Sequence, residues 1–229
     1  MASLSVLLLF VLCSPAFADD KGSVTGTVRF SGDPPKNPDL HPTMQGCPTA
    51  PLPDPGVVIG QDHGLANAVV YLTGVKSDAR PGAHDVTLDQ KDCRFMPHVQ
   101  ATTLGSKLTV KNSDTVLHTA HARSASAQTL FNVATPGGLT SQAQALTTAG
   151  PIAFTCDAGH TWMSAYVYVS DQPYVTVTDA NGAFSISDVP AGTYTLKSWH
   201  EKFGERSAKL TVVAGKPAKV SVDYKPSSK

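Results

Sequence analysis

The stretch Ile152-Ala153-Phe154-Thr155-Cys156-Asp157-Ala158-Gly159-His160-Thr161-Trp162-Met163-Ser164-Ala165-Tyr166-Val167-Tyr168-Val169 decides how the chain is read. Its ends are apolar runs, so 152–156 reads as one strand and 163–169 as the next. The connection holds Cys156, His160 and Met163 within eight residues. Thiolate and imidazole are strong ligands for copper, and a thioether is a weak axial one. One loop can present all three, because loop residues need not share a strand face. A second imidazole has to come from a distant strand. Val110-Lys111-Asn112-Ser113-Asp114-Thr115-Val116-Leu117-His118, an extended run entering a polar turn, supplies His118.

Each residue also has a plainer reading. Cys156 suits an inert buried thiol, Met163 shares parity with the apolar Ala165, Val167 and Val169, and His118 suits a turn. Taken together, these readings leave the order His-Cys-His-Met without a cause.

Working outward, strands are expected at 23–30, 68–72, 86–88, 108–111, 175–178, 184–186, 194–198, 210–213 and 220–224. Turn signals such as Asp179-Ala180-Asn181-Gly182 punctuate them. No sustained helical period appears, so the fold class is all-β, built as sandwiches. Eight of the 17 prolines fall within 33–55, which makes that segment a loop unsuited to ladder hydrogen bonds and in need of a tether. Lysine plus arginine and aspartate plus glutamate both number 18 in the 229 residues, which argues against a nucleic-acid or anionic-membrane footprint. The chain contains no Gly-x-Ser-x-Gly elbow, phosphate loop, Cys-x-x-Cys or His-Glu-x-x-His, and no catalytic residue is assigned.

Val6 to Leu12 is apolar and leads to Ala16-Phe17-Ala18, which reads as a secretory signal over 1–18 cleaved before Asp19. A periplasmic or secreted protein without a membrane span is expected. Cleavage removes Cys13 and leaves Cys47, Cys93 and Cys156, an odd number in an oxidising compartment.

The stretch 86–169 resembles the cupredoxins, the blue-copper family of plastocyanin, azurin and amicyanin. The resemblance rests on Phe95-x-Pro97, a turn at Gly105, a strand ending in Asn112, then His118 and the Cys156-His160-Met163 loop. It implies His118, Cys156 and His160 as equatorial ligands and Met163 as the axial one. It also implies one mononuclear copper per chain and one-electron transfer with a redox partner protein, not an enzyme. The Cys-x3-His-x2-Met spacing is similar to the second half of the dinuclear CuA motif. That motif needs another cysteine where Ile152 stands, which argues for a single ion.

With Cys156 given to the metal, Cys47 and Cys93 are left to pair and to pin the proline-rich loop. Were they free, Cys93, Met96 and His98 would offer a second metal set. His98 with His121 is a further candidate, although His121 lies three positions past His118, on the opposite face of a regular strand. His200 reads as structural.

Gly22-Ser23-Val24-Thr25-Gly26-Thr27-Val28 with Asn67-Ala68-Val69-Val70-Tyr71-Leu72, and Val177 to Phe184 with Val189 to Leu196, resemble the opening and closing halves of a carboxypeptidase-regulatory, transthyretin-like sandwich. Residues 22–75 and 173–229 would then form one sandwich, with a copper domain at 84–171 inserted in it. Two other functions stay open: a copper-binding or delivery protein, and an envelope or carbohydrate-binding module with a secondary copper site.

Overall fold

A computed structural model of the chain describes residues 20–75 and 82–226. The expected signal segment at 1–18 lies outside them. The described residues form β1 (Lys21–Phe30), β2 (Val69–Thr73), β3 (Val86–Lys91), β4 (Arg94–Met96), β5 (Val99–Thr103), β6 (Lys107–Asn112), β7 (His118–Arg123) and β8 (Thr129–Thr135). They continue with β9 (Gln144–Ala145), β10 (Gly150–Thr155), β11 (Ser164–Ser170), β12 (Val175–Val177), β13 (Ala183–Pro190), β14 (Gly192–His200), β15 (Gly204–Val212) and β16 (Pro217–Tyr224). The only helical element among these residues is a 3-10 turn at Gln61–His63. Among the described residues no helix is long and apolar enough to cross a membrane.

Alternation in β1 buries Val24, Val28 and Phe30 on one face. That strand lies between β13, antiparallel, and β16, parallel, with Val24 opposite Ile186 on one side and Ala218 on the other. The facing sheet has the order β12-β2-β14-β15. Val70 and Leu72 of β2, Leu196 of β14 and Val212 of β15 meet the β1 side chains in one core. Strands from both ends of the chain therefore share these two sheets.

The intervening strands form a second pair of sheets, β5-β11-β10-β7-β8 and β4-β3-β6-β9. Their core joins Leu88, Leu108 and Val110 from one sheet to Ala120, Ala122, Ile152, Phe154, Ala165 and Val167 from the other. Burying each large aliphatic side chain contributes roughly 1.5–3 kcal/mol, which holds the sheets face to face.

The two sandwiches also pack on each other, giving four layers. Strands β2 and β11 are buried on both faces. The odd-numbered Val69 and Tyr71 and the even-numbered Tyr166 and Tyr168 leave their own cores and meet Val99 and Trp199 in a third cluster. The Tyr71 and Tyr168 rings lie 5.2 Å apart, and those of Tyr168 and Trp199 5.6 Å. A hydrogen bond from the Tyr71 hydroxyl to Glu205 Oε2 at 2.6 Å closes one edge.

Several details depart from the sequence reading. Strands β4, β5, β7, β8 and β9 were not expected. In β7 the inward positions after His118 are Ala120 and Ala122, too small to announce a core strand. Strand β10 ends at Thr155 and β11 begins at Ser164, so both Cys156 and Met163 belong to the connecting loop. The proline-rich segment makes one isolated bridge, where Leu40 and Leu52 exchange backbone hydrogen bonds of 2.7 and 2.9 Å.

Candidate metal centre

Two loops at one end of the second sandwich build the site. The first runs from β6 to β7. Asn112 fixes it by donating to the carbonyls of Val116 (2.8 Å) and Thr135 (2.7 Å), while its Oδ1 accepts from the Asp114 N–H at 2.9 Å. This network delivers His118 fully buried at the start of β7. The second loop, between β10 and β11, carries Cys156, His160 and Met163. A reverse turn folds it back, with the Met163 N–H donating to the His160 carbonyl at 3.0 Å.

The loops meet at the Cys156 sulfur. His118 Nδ1 lies 3.8 Å from it and His160 Nδ1 3.6 Å. One donor atom from each of the three residues falls within 4.8 Å of the others, and all three residues are buried. Ligands about 2.0–2.3 Å from a single ion stand roughly 3.4–3.8 Å apart, so this spacing suits one first-row metal. Met163 is buried in the same apolar cluster as Cys156.

Neighbouring groups orient the donors. Asp114 Oδ2 accepts from His118 Nε2 at 2.9 Å, which leaves Nδ1 aimed at the sulfur. The Thr119 N–H reaches the sulfur at 3.3 Å. Burial pushes the Cys156 thiol up, but the His118 contact and the N–H groups of Thr119 and Ala158 outweigh it and hold the thiol below its ordinary range. Burial pulls His118 down, and its bonds to Cys156 and Asp114 more than reverse that. Burial followed by the charge of His118 lowers His160, with Asp114 opposing. The shift of Cys156 is towards the thiolate, the form that binds metal. Asp114 and Thr119 are the site residues that sequence reading passed over. The trace of Asp114 was its place four residues before His118, in a run already singled out.

The Cys47–Cys93 disulfide is present, with the Cα atoms 5.6 Å apart, and Cys156 is a free thiol. The alternative set of Cys93, Met96 and His98 is therefore excluded in this form of the chain. The structure does not bring His98 and His121 together. His98 immediately precedes β5, His121 lies on β7, and β11 and β10 run between these strands, a separation of about 14 Å at the usual strand spacing. His98 sits between the Ser164 carbonyl at 3.1 Å and the Glu201 carboxylate. His121 takes the outward face of β7, bonded to Asp157 Oδ2 at 2.7 Å and Thr129 Oγ1 at 2.8 Å. His200 is a core residue stacked on Phe203, ring centroids 4.8 Å apart.

The carboxypeptidase regulatory-like domain family matches residues 157–225. The match starts beside Cys156, takes in β11 and ends in the last residues after β16. It omits β1 and β2, which share sheets with its later strands. No curated protein matches the chain. Similar solved structures include a purple cupredoxin from Nitrosopumilus maritimus, at 20% identity over 38% of this chain and 100% of that one, TM-score 0.33. A copper-containing nitrite reductase from Thermus scotoductus is 20% identical over 38% of this chain and 22% of its own length, TM-score 0.32. Amicyanin from Paracoccus versutus is 16% identical over 44% and 97%, TM-score 0.33. The family match thus covers residues 157–225 alone, and each structural likeness covers less than half of the chain.

Proposed function

We propose that the chain is an exported protein that holds one copper ion through His118, Cys156 and His160, with Met163 axial, and exchanges single electrons with a redox partner protein. The observation that carries this reading is the convergence of two buried imidazole nitrogens on one buried free sulfur. When bound there, copper would supply a one-electron couple and an intense thiolate charge-transfer colour. The chain's own part is to hold the donors still. Asp114 fixes the His118 ring, Thr119 braces the sulfur, and the surrounding apolar side chains keep water away. If Met163 completed the donor set, no position would be left for a substrate.

The test is a visible spectrum and metal analysis of the copper-loaded protein. One copper per chain is expected, with a strong thiolate band that Cys156→Ser abolishes. Met163→Leu should keep the copper and raise the reduction potential, because an axial thioether tunes the couple without anchoring the ion. Full colour in the Cys156→Ser protein would sink the proposal. Weak, exchangeable Cu(I) with no such band would favour delivery over electron transfer.

A further inference from the structure

We propose that Cys47, Cys93 and His160 form a second metal site, for a soft thiophilic cation such as Cu(I), that exists only when the Cys47–Cys93 bond is reduced. A His160 ring nitrogen and both disulfide sulfurs lie within 4.8 Å of one another. The disulfide thus borders the first site, and His160 lies near both the bonded pair and the free Cys156 thiol. Two thiolates and an imidazole are a soft donor set that favours Cu(I) and d10 ions.

The surroundings let the bond open without dismantling the site. The backbone of Cys93 is held independently of its sulfur. Its N–H donates to Asp114 Oδ2 at 2.9 Å, and its carbonyl accepts from Trp162 Nε1 at 2.9 Å. Cys47 belongs to the proline-rich segment and is half-buried, whereas Cys93 is fully buried. An external dithiol therefore reaches Cys47 first. One of its thiolates attacks the Cys47 sulfur, the S–S bond breaks, and Cys93 leaves as a thiolate that takes up a proton. The second sulfur of the dithiol then attacks the mixed disulfide and releases Cys47. Two electrons and two protons pass to the chain, and the dithiol ends as a disulfide. A cation then displaces the thiol protons. His160 is common to both donor sets.

The test uses full-length Cys156→Ser protein, oxidised or reduced with dithiothreitol and then freed of it under anaerobic conditions. It is titrated with Cd(II) alone, followed by thiolate-to-metal absorption and equilibrium dialysis. The reduced protein should bind one Cd(II) at least about 100-fold more tightly than the oxidised protein, the scale expected for gaining two thiolate ligands. Adding His160→Ala should weaken that binding by about tenfold or more. Equal binding in the two redox forms, or binding indifferent to His160→Ala, would overturn the proposal. So would loss of the near-ultraviolet circular dichroism on reduction, which would make the bond purely structural. Since Cys156 is absent from the tested protein, failure here leaves the copper reading standing.

Discussion

Both sandwiches bury histidine, but to different ends. In the flanking sandwich His200 lies under Phe203 and Tyr224, with its Nδ1 accepting from the Lys202 N–H at 3.2 Å. Burial drives it down to about 4, with Glu201 opposing and His98 and Lys202 assisting. In the second sandwich His118 is just as buried, yet its contacts with a sulfur and a carboxylate raise it. Burial makes an imidazole neutral. It becomes a candidate ligand where two loops at one sheet end bring further donors to the same point.

The largest test of this contrast removes one partner. Deleting 84–171 and joining the flanks with a Gly-Ser linker is expected to leave a folded, colourless β domain, judged by cooperative melting and near-ultraviolet circular dichroism. The deletion uncovers Val69, Tyr71 and Trp199, so this domain should also be less soluble. Non-cooperative melting would show that the flanks need the inserted strands.

A paired core mutation sharpens the comparison. Leu196 and Leu108 are both fully buried, one in each core. Each Leu→Ala change should cost roughly 2–5 kcal/mol in denaturant unfolding. Only Leu108→Ala should disturb the copper spectrum, because Leu108 shares its core with Cys156 and Met163. A spectral change from Leu196→Ala would mean that the two cores are mechanically coupled.

The smallest expected effect concerns pH. His200 stays neutral in the fold down to about 4, whereas the unfolded chain takes up its proton below about 6.5. Stability should therefore fall as pH drops from 6.5 towards 4, by up to about 3 kcal/mol from this residue, and then level off. His200→Phe preserves a ring against Phe203 and should flatten that part of the profile. An unchanged slope would assign the acid sensitivity elsewhere, but not to Glu201, whose lowered carboxyl loses stability only below about 4.5.

The legible parts of the sequence were those with strong alternation or unusual residue chemistry. Val24, Val28 and Phe30 announced β1, and the run from Ala165 to Val169 announced β11. The Cys156–Met163 loop stood out because thiol, imidazole and thioether rarely crowd together by chance. Strand β7 stayed hidden because alanines line its inward face, and β8 because an edge strand with a half-buried pattern, in which Leu130 and Phe131 follow one another without alternation, carries little periodic signal. The third apolar cluster was invisible for another reason. Tyr166, Tyr168 and Trp199 look like ordinary outward aromatics until a second sheet is known to cover them. Asp114 was overlooked because its role depends on the loop doubling back to reach His118.

The parallel pairing of β1 with β16 has a consequence for the order of synthesis. Val24 sits opposite Ala218, so β1 waits for β16, the last of the described strands. At about 5–20 residues per second, roughly 10–40 seconds pass between their appearances. During that interval β1 has apolar residues on one face and open hydrogen-bonding edges on both sides, a template for mispairing. A ribosome-bound chain can complete the intervening strands early, but the sheet of β1 closes only after β16 emerges. Truncation near the C-terminus should therefore release aggregation-prone chains even when every residue of the metal loops has been made.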